Sequence, residues 1–184
     1  EIEYSVPNMN QCKGCHVNEN QMIPIGLKVR LLNHDFNFSD GEMNQLKKWS
    51  ILNMINGLPE LSSLPHTPNY DHPNDGTLDD RARAWIDINC AHCHMKGAPG
   101  ETSGLFLNIE ETDPIRLGIL KPPVAAGRGS GNRLHTIVPG KPEASIMIYR
   151  IESTDPGIMM PELSRSLNHE EAIPLIEEWI KELR

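Results

Sequence analysis

Two short stretches hold all four cysteines of the 184-residue chain: Cys12-Lys13-Gly14-Cys15-His16 and Cys90-Ala91-His92-Cys93-His94. In each, two residues separate the thiols and a histidine directly follows the second one. That order is what covalent attachment of a c-type haem requires. Each thiol can form a thioether to one vinyl group of the porphyrin. The next residue then sits where its imidazole binds iron from the proximal side.

Other uses of the cysteines fit less well. Zinc ribbons place their second pair about 15–20 residues after the first, whereas Cys15 and Cys90 stand far apart. Zinc also gives no reason for a histidine after both second cysteines. A thioredoxin-like redox pair needs a βαβ context, and neither motif has one. The expected cofactors are therefore two covalently bound c-type haems, attached through Cys12, Cys15, Cys90 and Cys93. His16 and His94 are the expected proximal iron ligands.

Fifteen prolines in 184 residues exceed the average share of about 5% and point to many irregular connections. A loop-rich chain has a thin core of its own, which two apolar macrocycles would fill. The formal charge of −8 argues against nucleic acid and anionic membranes as partners and suits basic redox proteins. No apolar run is long enough to span a bilayer, so no transmembrane segment is expected. The chain opens on Glu1-Ile2-Glu3-Tyr4 without a signal peptide, as a processed or truncated chain does. Because c-type haem is attached outside the cytoplasm, a periplasmic or extracellular location is expected.

The expected fold is mainly α: two cytochrome c-like helical domains with long irregular loops, each around a covalent haem. The first domain spans residues 1–62, a linker 63–76, and the second domain 77–184. Residues 1–8 read as extended, with a short helix from near Asn10 carrying the first motif. Gln21 to Phe38 reads as a loop wrapping the first haem. Ser39-Asp40-Gly41-Glu42 reads as a capping box, opening a helix that Gly57 ends. Asp71, Asn74, Asp75 and Gly76 miss the spacing of a calcium loop and read as a solvated turn.

Thr77-Leu78-Asp79-Asp80 caps the helix that delivers the second motif, with Leu78, Ala82, Trp85 and Ile86 on its apolar side. Gly127 to Gly131 lacks the Rossmann and P-loop patterns. Arg128 and Arg133 are instead candidate partners for haem propionates, since guanidinium suits bidentate carboxylate recognition; two solvated loop arginines are the plain alternative. Pro142 suits the first turn of a helix reaching Tyr149. Asn168 to Glu171 resembles a capping pair for a last helix carrying Ile173, Ile176, Trp179 and Ile180. Pro174 there implies a kink or a later start.

From His94 onward the chain resembles class I cytochrome c, in which a methionine, often followed by proline, binds iron shortly before the C-terminal helix. Met160-Pro161 stands eight residues before Asn168. The resemblance makes Met160 the sixth ligand of the second iron, with Met159 the runner-up and two core methionines the plain alternative. The whole chain resembles a little-characterised family of bacterial dihaem cytochromes. That resemblance rests on Val6-Pro7-Asn8, Gln11 to His16, Pro24-Ile25-Gly26-x-Lys28, Asn44-Gln45-Leu46, Asp87 to His94, Lys121 to Gly131, Val138 to Glu143 and Asp155 to Leu163. Family members often carry further sequence before this region, so the resemblance implies the C-terminal part of a larger protein.

The sixth ligand of the first iron stays open between His34, Met22, five-coordinate iron and a ligand from a neighbouring chain. The expected function is electron transfer between redox partners outside the cytoplasm, with no catalytic residue. One rival is a dihaem peroxidase-like enzyme with an open site at the first haem, where His34, His66 or His135 would serve as distal acid/base. Another is an electron-entry module or filament subunit of a larger assembly.

Overall fold

The computed structural model describes residues 6–162 and 167–184. Residues 1–5 of the expected extended start, and Leu163 of the last family stretch, lie outside the described residues. Asn8 opens the first helix, α1 (Met9–His16). Its side chain accepts from the Asn10 and Gln11 amides, while the Gln11 side chain accepts from the Asn8 amide. This reciprocal cap satisfies amides that a helix start otherwise leaves bare. At Val17 the backbone becomes extended, and β1 (Val17–Asn18) pairs antiparallel with β2 (Gln21–Met22). Glu19 and Asn20 turn the ribbon with φ of 47° and 63°, the left-handed pair that suits the twist of a tight hairpin.

Next come a single helical turn, α2 (Val29–Leu32), and a second hairpin of β3 (Asp35–Phe38) and β4 (Gly41–Asn44). Gly41 closes that hairpin at φ 123°, which side-chain-bearing residues rarely adopt. α3 (Gln45–Ile51) starts directly after it, capped by the Asn44 side chain on the Leu46 and Lys47 amides. α4 (Leu78–Cys90) has a Thr77/Asp80 capping box and is the longest of the described helices. Mostly irregular chain with short 3₁₀ turns leads to α5 (Ile146–Ile151), and α6 (Ile173–Glu182) follows.

The chain divides into a larger unit, Glu1–Ile25 with Tyr70–Arg184, and a smaller one, Gly26–Asn69. The larger unit has its core where α4, α5 and α6 meet. Ala82, Trp85 and Ile86 pack with Ile148, Ile151, Ile176, Trp179 and Ile180, and with Leu107 and Ile137 from irregular chain. Each large apolar side chain buried there contributes roughly 1.5–3 kcal/mol. Trp179 Nε1 donates to Asp79 Oδ1 at 2.7 Å, which ties α6 to the first turn of α4. In the smaller unit Leu46 is buried, and the Asn33 amide donates to the Leu61 and Leu64 carbonyls.

Two cytochrome c-like helical domains are not what forms. The six α-helices among the described residues are four to thirteen residues long, and two β-ribbons accompany them. The core-forming helices all belong to one unit, and the first motif belongs to that unit too. Local chemistry accounts for the difference. Asp35-Phe36-Asn37-Phe38 alternates polar and apolar residues, a strand period, where a loop was expected. Ser39 and Asp40 turn the hairpin and Glu42 lies on β4 paired with Asn37, so no capping box forms there; the Asp40 carboxylate bonds the Lys48 ammonium.

α3 ends at Ile51, well short of Gly57. The helix expected from Pro142 breaks at Ser145, whose hydroxyl donates to the Lys141 carbonyl and accepts from the Val138 amide. α6 takes the later start, with Pro174 in its first turn and no side-chain cap. The division falls at residues 25 and 70, away from the expected 62 and 77. Among the described residues no helix is long and apolar enough to cross a membrane.

Candidate cofactor site

The C-terminal end of α4 presents the second motif. Asn89 Nδ2 donates to the Trp85 carbonyl at 2.8 Å, and the Cys93 and His94 amides both donate to the Cys90 carbonyl. The motif is thus a tight turn continuing a well-buried helix. The His94 carbonyl accepts the Leu107 amide at 2.8 Å, and the Cys93 carbonyl accepts the Gly100 amide at 2.9 Å. A Cβ on Gly100 would stand 2.7 Å from that same Cys93 oxygen and 3.0 Å from His94 Nδ1. Only glycine permits so close an approach.

Hydrogen bonds set which nitrogen of each motif histidine carries the proton. His94 Nδ1 lies 3.1 Å from Ser103 Oγ. That hydroxyl gives its own hydrogen to the Gly100 carbonyl at 2.6 Å and also accepts the Leu105 amide. Toward His94 it can therefore only accept, which puts the hydrogen on Nδ1. Burial first, and then the Arg150 guanidinium, pushes the His94 pKa down to about 4, so the ring is neutral at pH 7 with its lone pair on Nε2. His16 is held in the same way. Its Nδ1 donates to the Ile23 carbonyl at 2.9 Å, while the Ile23 amide donates to the His16 carbonyl at 2.7 Å. A histidine whose Nδ1–H is held by an oxygen acceptor is oriented as metal-ligating histidines are.

A cavity of about 570 Å³ opens beside these groups, within the larger unit. Its size falls in the usual range of about 300–1,000 Å³ for cofactor and small-molecule sites. Cys90, Cys93 and His94 line it from the second motif, and Gly14 and Cys15 from the first. Pro122 to Ala126 forms an apolar strap along it. Met160 lines the cavity, whereas Met159 is 6% exposed and does not. All four cysteines are free. Burial pushes the Cys90 thiol up to about 12, and burial followed by the neighbouring Cys15 does the same for Cys93. Both thiols are therefore protonated at neutral pH.

The remaining expected residues lie elsewhere. Cys12 is half-buried, with Sγ 4.0 Å from the Pro7 carbonyl. Met22 sits on β2, half-exposed. His34 belongs to the smaller unit, with its ring centroid 4.3 Å from that of His66. Arg128 pairs with Asp155 at 2.8 Å on the surface. Arg133 lies over the Tyr149 ring and donates to the Glu143 carbonyl. Neither arginine lines the cavity. Arg150 does, half-buried, with Nε on the Ile158 carbonyl and Glu162 at 3.7 Å. Sequence reasoning missed Arg150, although it is the only charged residue of α5. It also missed Ser103, for which no sequence signal stands out.

Comparison of the chain with known proteins finds no matching family model, no matching curated protein and no matching solved structure.

Proposed function

We propose that the chain is a dihaem c-type cytochrome carrying electrons between redox partners outside the cytoplasm, in keeping with its resemblance to bacterial dihaem cytochromes. The observation that carries this reading is shared by both Cys-x-x-Cys-His motifs: the histidine Nδ1 is held by an oxygen acceptor, leaving Nε2 for iron. An apolar cavity beside the second motif supports it further.

Bound haem iron, cycling between ferric and ferrous, supplies one-electron chemistry. The chain's residues do the rest. Cys12, Cys15, Cys90 and Cys93 would hold the two groups through thioethers, each S–H adding across one vinyl double bond with no net oxidation. His16 and His94 would supply nitrogen ligands to the irons, and Met160, which lines the cavity with His94, would supply sulfur to the second. Arg150, whose guanidinium lines the cavity, takes the part of propionate partner that Arg128 and Arg133 were expected to play. The apolar strap Pro122 to Ala126 excludes water, and a charge of −8 favours a basic partner.

Electron transfer needs no vacant coordination position, whereas peroxidase chemistry does. The reduced holoprotein is therefore expected to bind carbon monoxide slowly or not at all, and to turn over hydrogen peroxide no faster than free haem. Rapid carbon monoxide binding together with peroxide turnover well above free haem would replace this reading with the enzymatic one.

A further inference from the structure

We propose that Cys15 and Cys93 hold the two haems edge to edge, so that the pair behaves as one electronically coupled centre. The proposal rests on the dihaem reading above and adds a spatial relation that neither motif implies. Within the larger unit the Cys15 and Cys93 sulfurs and an imidazole nitrogen of His92 all lie within 4.8 Å of one another. Cys93 Sγ, here a free thiol, lies 3.2 Å from the Gly14 carbonyl oxygen, so the second motif touches the backbone of the first. Both motifs also contribute to the wall of a single cavity.

Contacts outside the motifs hold the same juxtaposition. The Glu19 amide donates to the Gly97 carbonyl at 3.0 Å, and Asn18 Nδ2 donates to the Lys96 carbonyl at 3.1 Å. The ribbon after the first motif is therefore anchored on the segment after the second. Glu19 and Asn18 also crowd Gly97, where a Cβ would stand 3.0 Å from Glu19 Cγ. Together these contacts bring the two motifs, more than seventy residues apart in the chain, into one place.

The chemical consequence follows from where a thioether sits. Each sulfur is bonded to a carbon at the rim of its macrocycle, so two sulfurs this close bring two rims together. With both groups bound, this closeness would let an electron exchange between them without a proton transfer. Cys12 and Cys90, the first cysteines of the motifs, have no such mutual contact among the described interactions.

The test is circular dichroism across the Soret band of the two-haem holoprotein, with denaturing mass spectrometry on the same sample. The expected result is a couplet of opposite-signed lobes. Single-haem variants, Cys12→Ala/Cys15→Ala and Cys90→Ala/Cys93→Ala, should each show one single-signed band whose sum does not reproduce the couplet. Electron paramagnetic resonance of the unmodified holoprotein serves if either variant fails to fold. Broadened signals in the fully oxidised state that sharpen on half-reduction are expected. Two haem masses with no couplet, or with sharp independent signals at full oxidation, would overturn the edge-to-edge arrangement alone. A sample without two haem masses would overturn the underlying dihaem reading.

Discussion

Ser103 and the Ile23 carbonyl give His94 and His16 their orientation, and such outer partners tune the ligand they hold. A hydrogen bond at Nδ1–H makes Nε2 a stronger donor and favours ferric iron. Ser103→Ala should therefore raise the midpoint potential of the second haem in a redox titration. It should also cost about 1 kcal/mol of stability, since the Leu105 amide loses an acceptor as well. Met160 and Met159 separate more sharply. Met160→Ala should abolish the sulfur-to-iron charge-transfer band while leaving the fold intact. Met159→Ala should keep the band and lose roughly 2–5 kcal/mol, as truncation of a buried methionine does. Survival of the band in Met160→Ala would move the ligand elsewhere. At this scale the motif cysteines and histidines are legible, because the order of thiols and imidazole is itself the chemical requirement. Arg150 is not legible. What brings its guanidinium to the cavity is the close pass of Gly129, where a Cβ would stand 3.2 Å from Arg150 Cζ; no local pattern encodes that.

The helices show where local signals compete. Thr77 and Asp80 predict the start of α4, and the reciprocal cap forms there. Ser39 and Glu42 offer the same pattern, yet Ser39 falls in a hairpin turn and Glu42 on β4, because Phe36 and Phe38 set a strand period ahead of them. Asn44, two residues further on, does the capping. Asn44→Ala should accordingly cost about 1 kcal/mol, read as a lower denaturation midpoint, while Ser39→Ala should leave it unchanged. The opposite ranking would restore a helix start at Ser39. Ser145 teaches the same lesson for α5: its hydroxyl bridges Lys141 and Val138, and a helix that Pro142 could open is broken there. Periodicity identifies the helices of the core, since their apolar faces meet one another. It does not identify the ribbons, which are short and lie mostly on the surface.

Across the whole molecule, the first 25 residues belong with residues 70–184, and 26–69 form a unit of their own. A reading that follows the chain assigns the first motif to the segment after it. The contacts that join it to the second motif instead, Glu19 to Gly97 and Asn18 to Lys96, end on backbone carbonyls, and the one side chain among them, Asn18, carries no local pattern that names so distant a partner. This is why two domains were expected and one unit holds both motifs. The central claim, two haems covalently carried by these motifs, is tested most directly by the mass of the purified holoprotein under denaturing conditions. The polypeptide plus two haems is predicted, falling by one haem in Cys12→Ala/Cys15→Ala and by one in Cys90→Ala/Cys93→Ala. The mass of the bare polypeptide, with any haem released into acidified organic solvent, would contradict it.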